Sequence, residues 1–221
     1  MKIGFISDIH SRKQTLEAIT KEMLNHQIEL LLLGGDLTDF GSLEEFQEIA
    51  QKAHDLTGVL VLLIPGNCDN PKALDWDGKD GIVNIHEKIY VYKNYNFLGF
   101  GGSNFTPFDT PIEFADEEIH EKLSRFKGVN DLIFVSHVPP YRTKLDRIYI
   151  GRHVGSRAIR EFIEKNSPIL VLTGHIHEAS GIDKIGETII TNPGPAERGF
   201  YSIIEINNGA VNVKIKRINR L

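Results

Sequence analysis

Aspartate, asparagine and histidine recur at five places in this sequence, each just beyond a short apolar run. KIGFIS leads into Asp8, Ile9 and His10; IELLLL into Gly34, Gly35 and Asp36; VLVLLI, after one proline, into Gly66, Asn67, Cys68 and Asp69. DLIFVS leads into His137, and PILVLT into Gly174, His175, Ile176 and His177. Carboxylate oxygen, amide oxygen and imidazole nitrogen together form a ligand set of intermediate hardness, suited to manganese, iron, zinc or nickel. Asp8 and His10 stand two apart, as do His175 and His177, a spacing that in an extended segment directs both side chains to one side. The glycines allow the backbone to turn sharply beside an ion. One aspartate after a strand is ordinarily a turn former; the ordered set of five is what points to a metal site. Cys68, the only cysteine in 221 residues, has three chemical readings: metal ligand, nucleophile or bystander.

Something must carry these residues to one place. The five apolar runs, 2–7, 28–33, 59–64, 131–136 and 168–173, are almost continuously apolar and read as strands buried on both faces. Helical patterns lie between them: 12–26 with Ser11 as candidate cap, 43–57 behind Ser42 with Glu45 completing a capping box, about 115–127, and 157–166 behind Ser156. Strands alternating with helices predict a layered α/β fold with largely parallel central strands. YSIIEI and AVNVKIKRI flank Asn208-Gly209 and read as a hairpin, and KIYVY with NFLGF reads as another, which predicts a second, more antiparallel sheet. In α/β sheets ligands bind beyond the carboxyl ends of parallel strands, so the five sets are delivered to one crevice.

Composition narrows the function classes. With 41% hydrophobic and 25% charged residues the chain reads as a single globular domain, 1–221. A lone cysteine excludes an intrachain disulfide framework and fits a reducing compartment. The start MKIGFISD meets an acidic residue too early for a signal-peptide core, and no apolar run approaches the ~20 residues of a membrane span, so a cytoplasmic location is expected. A net charge of -5 offers no diffuse attraction to nucleic acid, and a phosphate-bearing ligand requires a local positive charge.

The ordered set D-x-H, G-D, G-N-x-D, H and G-H-x-H, spanning residues 8 to 177, resembles the calcineurin-like metallophosphoesterases, and in particular their small single-domain prokaryotic members. The resemblance implies a four-layer αββα sandwich of two mixed β-sheets flanked by helices. It implies one divalent ion held by Asp8, His10, Asp36 and His177, and a second held by Asp36 as a bridge with Asn67, His137 and His175. The sequence departs from the family at Cys68, where a histidine is usual and is thought to protonate the leaving oxygen or stabilise the transition state.

Charge counting agrees with that assignment. Only Asp8 and Asp36 among these ligands are anionic, so two dications leave the site near +2, able to hold a phosphate on a negative protein. A hydroxide shared by two such ions attacks phosphorus in line, and no protein nucleophile is needed. The expectation is therefore a binuclear metal-dependent phosphoesterase, phosphodiesters slightly preferred, with manganese first among the candidate ions. The alternatives are a phosphomonoesterase or nucleotide phosphatase using the same site, a scaffold that has lost its activity, and catalysis by a nucleophilic Cys68. All seven ligand candidates are present, which counts against the scaffold. Catalytic roles are expected for Asn67, Cys68, Asp69 and His153. The stretch 138–155 follows His137 and holds Arg142, Lys144, Arg147, Arg152 and His153. Loops of this length tend to be functional, and Arg152 and His153, just before the Ser156 helix start, are expected to contact substrate. His26, His54 and His120 read as surface residues in helices, and His86 has no motif around it. The expected partner is a small phosphoester or nucleotide, with no bulk nucleic acid and no membrane; the oligomeric state stays open.

Overall fold

The computed structural model describes residues 1–218, so the last three positions of the expected 1–221 domain lie outside the described residues. In chain order the strands are β1 (Lys2–Ile6), β2 (Leu30–Leu33), β3 (Leu60–Leu63), β4 (Gly78–Lys79), β5 (Ile82–Asn84), β6 (Ile89–Tyr92), β7 (Tyr95–Phe100), β8 (Ser103–Asn104), β9 (Glu113–Phe114), β10 (Leu132–Ser136), β11 (Leu170–Leu172), β12 (Gly181–Ile185), β13 (Thr188–Asn192), β14 (Phe200–Asn207) and β15 (Ala210–Arg217). The helices are α1 (Lys13–Leu24), α2 (Leu43–Thr57), α3 (Asp116–Leu123) and α4 (Arg157–Asn166).

Two large mixed sheets carry the fold, ordered β15-β14-β1-β2-β3-β5-β4 and β12-β13-β11-β10-β7-β6. Strands β1, β2, β3 and β5 run parallel in the first, and β7, β10, β11 and β13 run parallel in the second. The five apolar runs therefore divide three to two between the sheets. The second sheet is as parallel as the first, contrary to the sequence expectation, and the Asn208-Gly209 hairpin extends the first sheet, with β14 antiparallel to β1. A hairpin's turn signal fixes its own pairing and says nothing of which edge it joins.

Alternation along the strands builds three cores. Ile3 and Phe5 of β1 meet Leu30, Leu32, Leu62, Phe97, Ile133 and Leu170 between the sheets. Ile6, Leu31, Leu33, Val61 and Leu63 point outward onto Leu16, Ile19, Phe46 and Ile49 of α1 and α2. On the far side Leu98, Phe134 and Val171 pack against Ile119, Leu123, Ile159 and Phe162 of α3 and α4. Both faces of every central strand are thus covered, which is why those strands read as continuous apolar runs. The result is the αββα sandwich.

The helix ends differ in places from the sequence reading. Ser42 and Ser156 cap as expected, accepting from Glu45 N and Ile159 N. Ser11 does not: α1 begins without a side-chain cap, because Ser11 lies at φ 61 in a left-handed turn and its hydroxyl accepts from Asp39 N. Helix α3 stops at Leu123, short of the expected 127, where the Ser124 hydroxyl takes the Glu121 carbonyl at 2.6 Å and competes with the backbone ladder.

Candidate metal centre

The carboxyl ends of β1, β2 and β3 in one sheet and of β10 and β11 in the other meet at a single edge of the sandwich. The His137 Nδ1 N–H donates to Gly34 O at 2.7 Å across the two sheets. Gly174 N donates to His137 O, and His175 N donates to both oxygens of Asp8 at 3.1 and 3.2 Å. Close approach demands the glycines. A Cβ on Gly66 would collide with the carboxylate and N–H of Asp36, and one on Gly174 with Ser7 Oγ and the Asp8 carboxylate.

Two triads result, Asp8–His10–His177 and Asp36–His137–His175, with the ligand atoms of each within 4.8 Å of one another. His10 joins them, its Nε2 lying 3.3 Å from His177 Nε2 and 3.8 Å from Asp36 Oδ2. Cys68 N donates to Asp36 Oδ1 at 2.8 Å, which leaves Oδ2 facing both triads, 3.4 Å from His137 Nε2. Asn67 Oδ1 lies 2.9 Å from the same nitrogen. Two imidazole nitrogens aimed at one another and at carboxylate oxygens repel unless a proton or a cation lies between them. Neutral histidines, two carboxylates and an amide oxygen suit borderline divalent ions, and a histidine whose other nitrogen donates to a backbone carbonyl, as His137 does, is oriented as metal-binding histidines are.

Convergence is achieved by a route the i, i+2 spacing did not anticipate. Asp8, His10, Asp36 and His175 all have positive φ, at 60, 45, 48 and 66°. These segments are left-handed turns, not extended strands. Non-glycine residues in that region cost on the order of 1–3 kcal/mol each and cluster at functional sites.

Protonation follows burial and charge. Burial opposes ionisation of Asp8, yet the His177 hydrogen bond and the nearby His137 and His10 charges hold it well below the usual carboxylate range. Burial likewise opposes Asp36, outweighed by His137. His137 is raised to about 9 despite its burial, by Asp36 and Asp8, while burial and His137 lower His175 to about 4. A cation bound by these groups would displace the proton that the carboxylates favour at His137.

The remaining candidates separate. Cys68 is 9% exposed, and burial together with the carboxylates of Asp36, Asp69 and Asp8 pushes its thiol up. Its Sγ stands with His10 and Asp36 as a possible third ligand group. Asp69 is fully buried and accepts from Gly66 N, Leu37 N, Thr38 N and Thr38 Oγ1 at 2.7–3.2 Å. That position makes it a brace between the Asp36 and Asn67 loops. His153 donates Nδ1–H to the buried Asp146 at 2.7 Å, which leaves Nε2 free on a half-exposed ring. Asp146 also accepts from Arg142 N, Thr143 N and Gly155 N, so it organises the 138–155 loop. Arg152 accepts from Ile148 N through its backbone carbonyl at 3.0 Å. The α4 start does not offer an anion site: Asp116 already accepts from Ser156 Oγ, Arg157 N and Ala158 N.

Residues the sequence reading passed over support the ligands. Asn192 donates to the Gly174 and Ile176 carbonyls at 3.3 and 3.0 Å and shapes the G-H-x-H turn. It ends β13, which pairs parallel with β11, but TIITN is not a continuous apolar run and so did not stand out as the other strand ends did. Glu197 Oε1 lies 3.9 Å from His177 Nδ1. His86, without a motif, accepts from Gly101 N at 2.9 Å, so its Nε2 carries the proton toward Glu87 at 3.2 Å. A groove between α3 and α4, lined by Leu123, Lys127, Phe162 and Lys165, holds none of the ligand candidates.

Comparison with known proteins gives the site a context. The family model described as calcineurin-like phosphoesterase matches residues 1–179. An uncharacterized protein of Methanocaldococcus jannaschii is 40% identical over 207 residues, covering 91% of both chains. A probable cyclic nucleotide phosphodiesterase of Vesicomyosocius okutanii is 26% identical over 197 residues, covering 82% of this chain and 76% of its own. In fold, the crystal structure of TT1561 of Thermus thermophilus superposes with a TM-score of 0.76 at 18% identity, covering 96% of this chain and 97% of that one.

Proposed function

Since this chain belongs to the calcineurin-like phosphoesterase family and is a metal-dependent phosphoester hydrolase, we propose that it works through a binuclear centre and prefers small phosphodiesters to monoesters. The observation that carries this reading is Asp36: Oδ1 is fixed by Cys68 N–H while Oδ2 faces His10 on one side and His137 on the other. Asp8, His10, Asp36 and His177 would hold one ion, and Asp36, Asn67, His137 and His175 the other. Manganese comes first, with iron, zinc or nickel admitted by the ligand set. When bound, the pair supplies Lewis acidity at the phosphoryl oxygens and activates water for in-line attack.

The chain's own residues do the rest. Asp36 keeps the two subsites at a fixed separation. Among the described residues no helix is long and apolar enough to cross a membrane, and the substrate is a small phosphoester that reaches the strand-end crevice from solvent. His153 is aligned by Asp146 at Nδ1, and its imidazolium form would donate Nε2–H to the leaving oxygen, the part that Cys68 is poorly suited to play. Arg152 beside it adds positive charge for the phosphoryl group. The diester preference draws on relatives named as phosphodiesterases and on the missing histidine at position 68.

The test is a substrate panel with chelator-stripped protein reloaded with Mn, Ni, Zn or Mg: cyclic nucleotides, aryl phosphodiesters, aryl and alkyl monoesters and nucleotides. The expected result is the highest kcat/KM on a diester, and a His153→Ala protein that keeps its ions but loses turnover on alkyl esters. A higher kcat/KM on monoesters would overturn the diester preference, and no turnover with any ion would overturn the enzyme reading.

A further inference from the structure

One of the proposed ligands needs its amide held the right way round. Asn67 can bind a cation only through Oδ1, and a free amide rotates by 180° at little cost, presenting NH2 instead. Asn67 Nδ2 donates to Thr110 Oγ1 at 3.1 Å. Thr110 in turn donates its hydroxyl proton to Glu113 Oε1 at 2.5 Å. With that proton committed to a carboxylate, Thr110 Oγ1 faces Asn67 as an acceptor only, and an acceptor there accommodates NH2 and rejects the carbonyl oxygen.

Glu113 is itself tightly bound. It accepts from Thr110 N at 2.9 Å, Thr106 Oγ1 at 2.6 Å and Thr106 N at 3.1 Å. The loop between β8 and β9 is also joined to the Asn67 backbone, since Ile112 N donates to Asn67 O at 3.1 Å. The Asn67 and Thr110 side chains are both buried, so water does not compete for these bonds. Forty-three residues separate Asn67 from Thr110, and neither threonine nor glutamate carries a motif.

We infer that Thr110 and Glu113 are positioning residues for the metal centre: the Glu113–Thr110–Asn67 relay selects the amide orientation that aims Asn67 Oδ1 at the ion shared with His137 and His175. This rests on the two-ion reading above. Outer-shell partners of this kind are worth about 10–100-fold in metal affinity.

Thr110→Val removes the hydroxyl while keeping the backbone N–H on Glu113 and the buried volume. Calorimetric titration of Co(II) or Mn(II) into stripped protein, with the Co(II) absorption spectrum as a second readout, tests it without recourse to turnover. The expected result is that one of the two binding steps weakens by about 10–100-fold and its Co(II) spectrum changes, that the other step is unaltered, and that Thr110→Ser restores the parent pattern. Two unaltered steps in Thr110→Val would overturn the relay. Equal weakening of both steps with a lowered Tm would assign Thr110 to loop stability and overturn it too. The parent protein, titrated alongside, separates this from the two-ion reading, which fails if the parent itself binds a single ion.

Discussion

At the scale of single residues, the proposed site divides into groups that would hold ions and groups that position them. Asp36 Oδ2 lies toward His10 on one side and His137 on the other, so Asp36→Asn should lower kcat by more than about 100-fold, beyond what loss of an outer-shell partner costs, with metal content reduced. Asp8→Asn should cost less, because only one triad contains it. Equal, modest losses in both variants with full metal content would show that Asp36 does not bridge. Cys68 lies at the edge of the same cluster with its thiol pushed up by burial and carboxylates, a poor nucleophile and a poor acid. Cys68→Ala should therefore keep its ions and most aryl-ester hydrolysis, and Cys68→His should shift preference toward esters with worse leaving groups; loss of aryl-ester hydrolysis in Cys68→Ala with ions retained would make the thiol essential. The ligand candidates were legible in the sequence because Asp, Asn and His after apolar runs are unusual in that order. Asp69, Thr110 and Asn192 were not legible in their roles, because each acts through backbone groups or amides 16 to 43 positions away, which only folding brings near; Glu113 acts through Thr110, three positions away, and takes its role from that link.

At the scale of elements, strand positions were readable and strand membership was not. A strand buried on both faces announces itself as a continuous apolar run, but β10 and β11 carry nothing that says they belong to a different sheet from β1 to β3. The left-handed turns after β1, β2 and β11 were equally hidden, since only tertiary packing holds Asp8, Asp36 and His175 at positive φ. One element-level linkage is open to a pH measurement. Helix α3 is tied to the turn before β6 by Glu87, which takes hydrogen bonds from His86 and Lys122 at 3.2 and 2.9 Å and from Arg125. The His86 contact, then Lys122, against the cost of burial, depress the Glu87 carboxyl to about 2. An unfolded glutamate titrates near ~4.3, so the folded state gains stability from this carboxylate above that pH and loses it as the pH falls toward 2. Arg125 is 59% exposed and screened by solvent, so the worth is on the order of 1 kcal/mol. Denaturation of Glu87→Gln should reveal that deficit at pH 7 and a shrinking one below about pH 4; a deficit independent of pH would remove the ion pairs from the account.

At the scale of the whole molecule, a chain of net charge -5 concentrates its chemistry where the parallel strands of two mixed sheets present their carboxyl ends to each other. Each sheet supplies part of each triad: Asp8 and His10 meet His177 from the opposite sheet, and Asp36 meets His137 and His175. Neither sheet alone has a complete site, and the shared core of Phe5, Leu32, Phe97 and Ile133 is what keeps the halves in register. The central claim is that both halves must be occupied for hydrolysis. It is tested most directly by titrating Mn(II) into stripped protein while bound metal and aryl phosphodiester hydrolysis are measured in the same samples. Binding should saturate at about two ions per chain, and hydrolysis should appear only as the second subsite fills. Full activity at one ion per chain, or hydrolysis that persists in excess chelator, would contradict it.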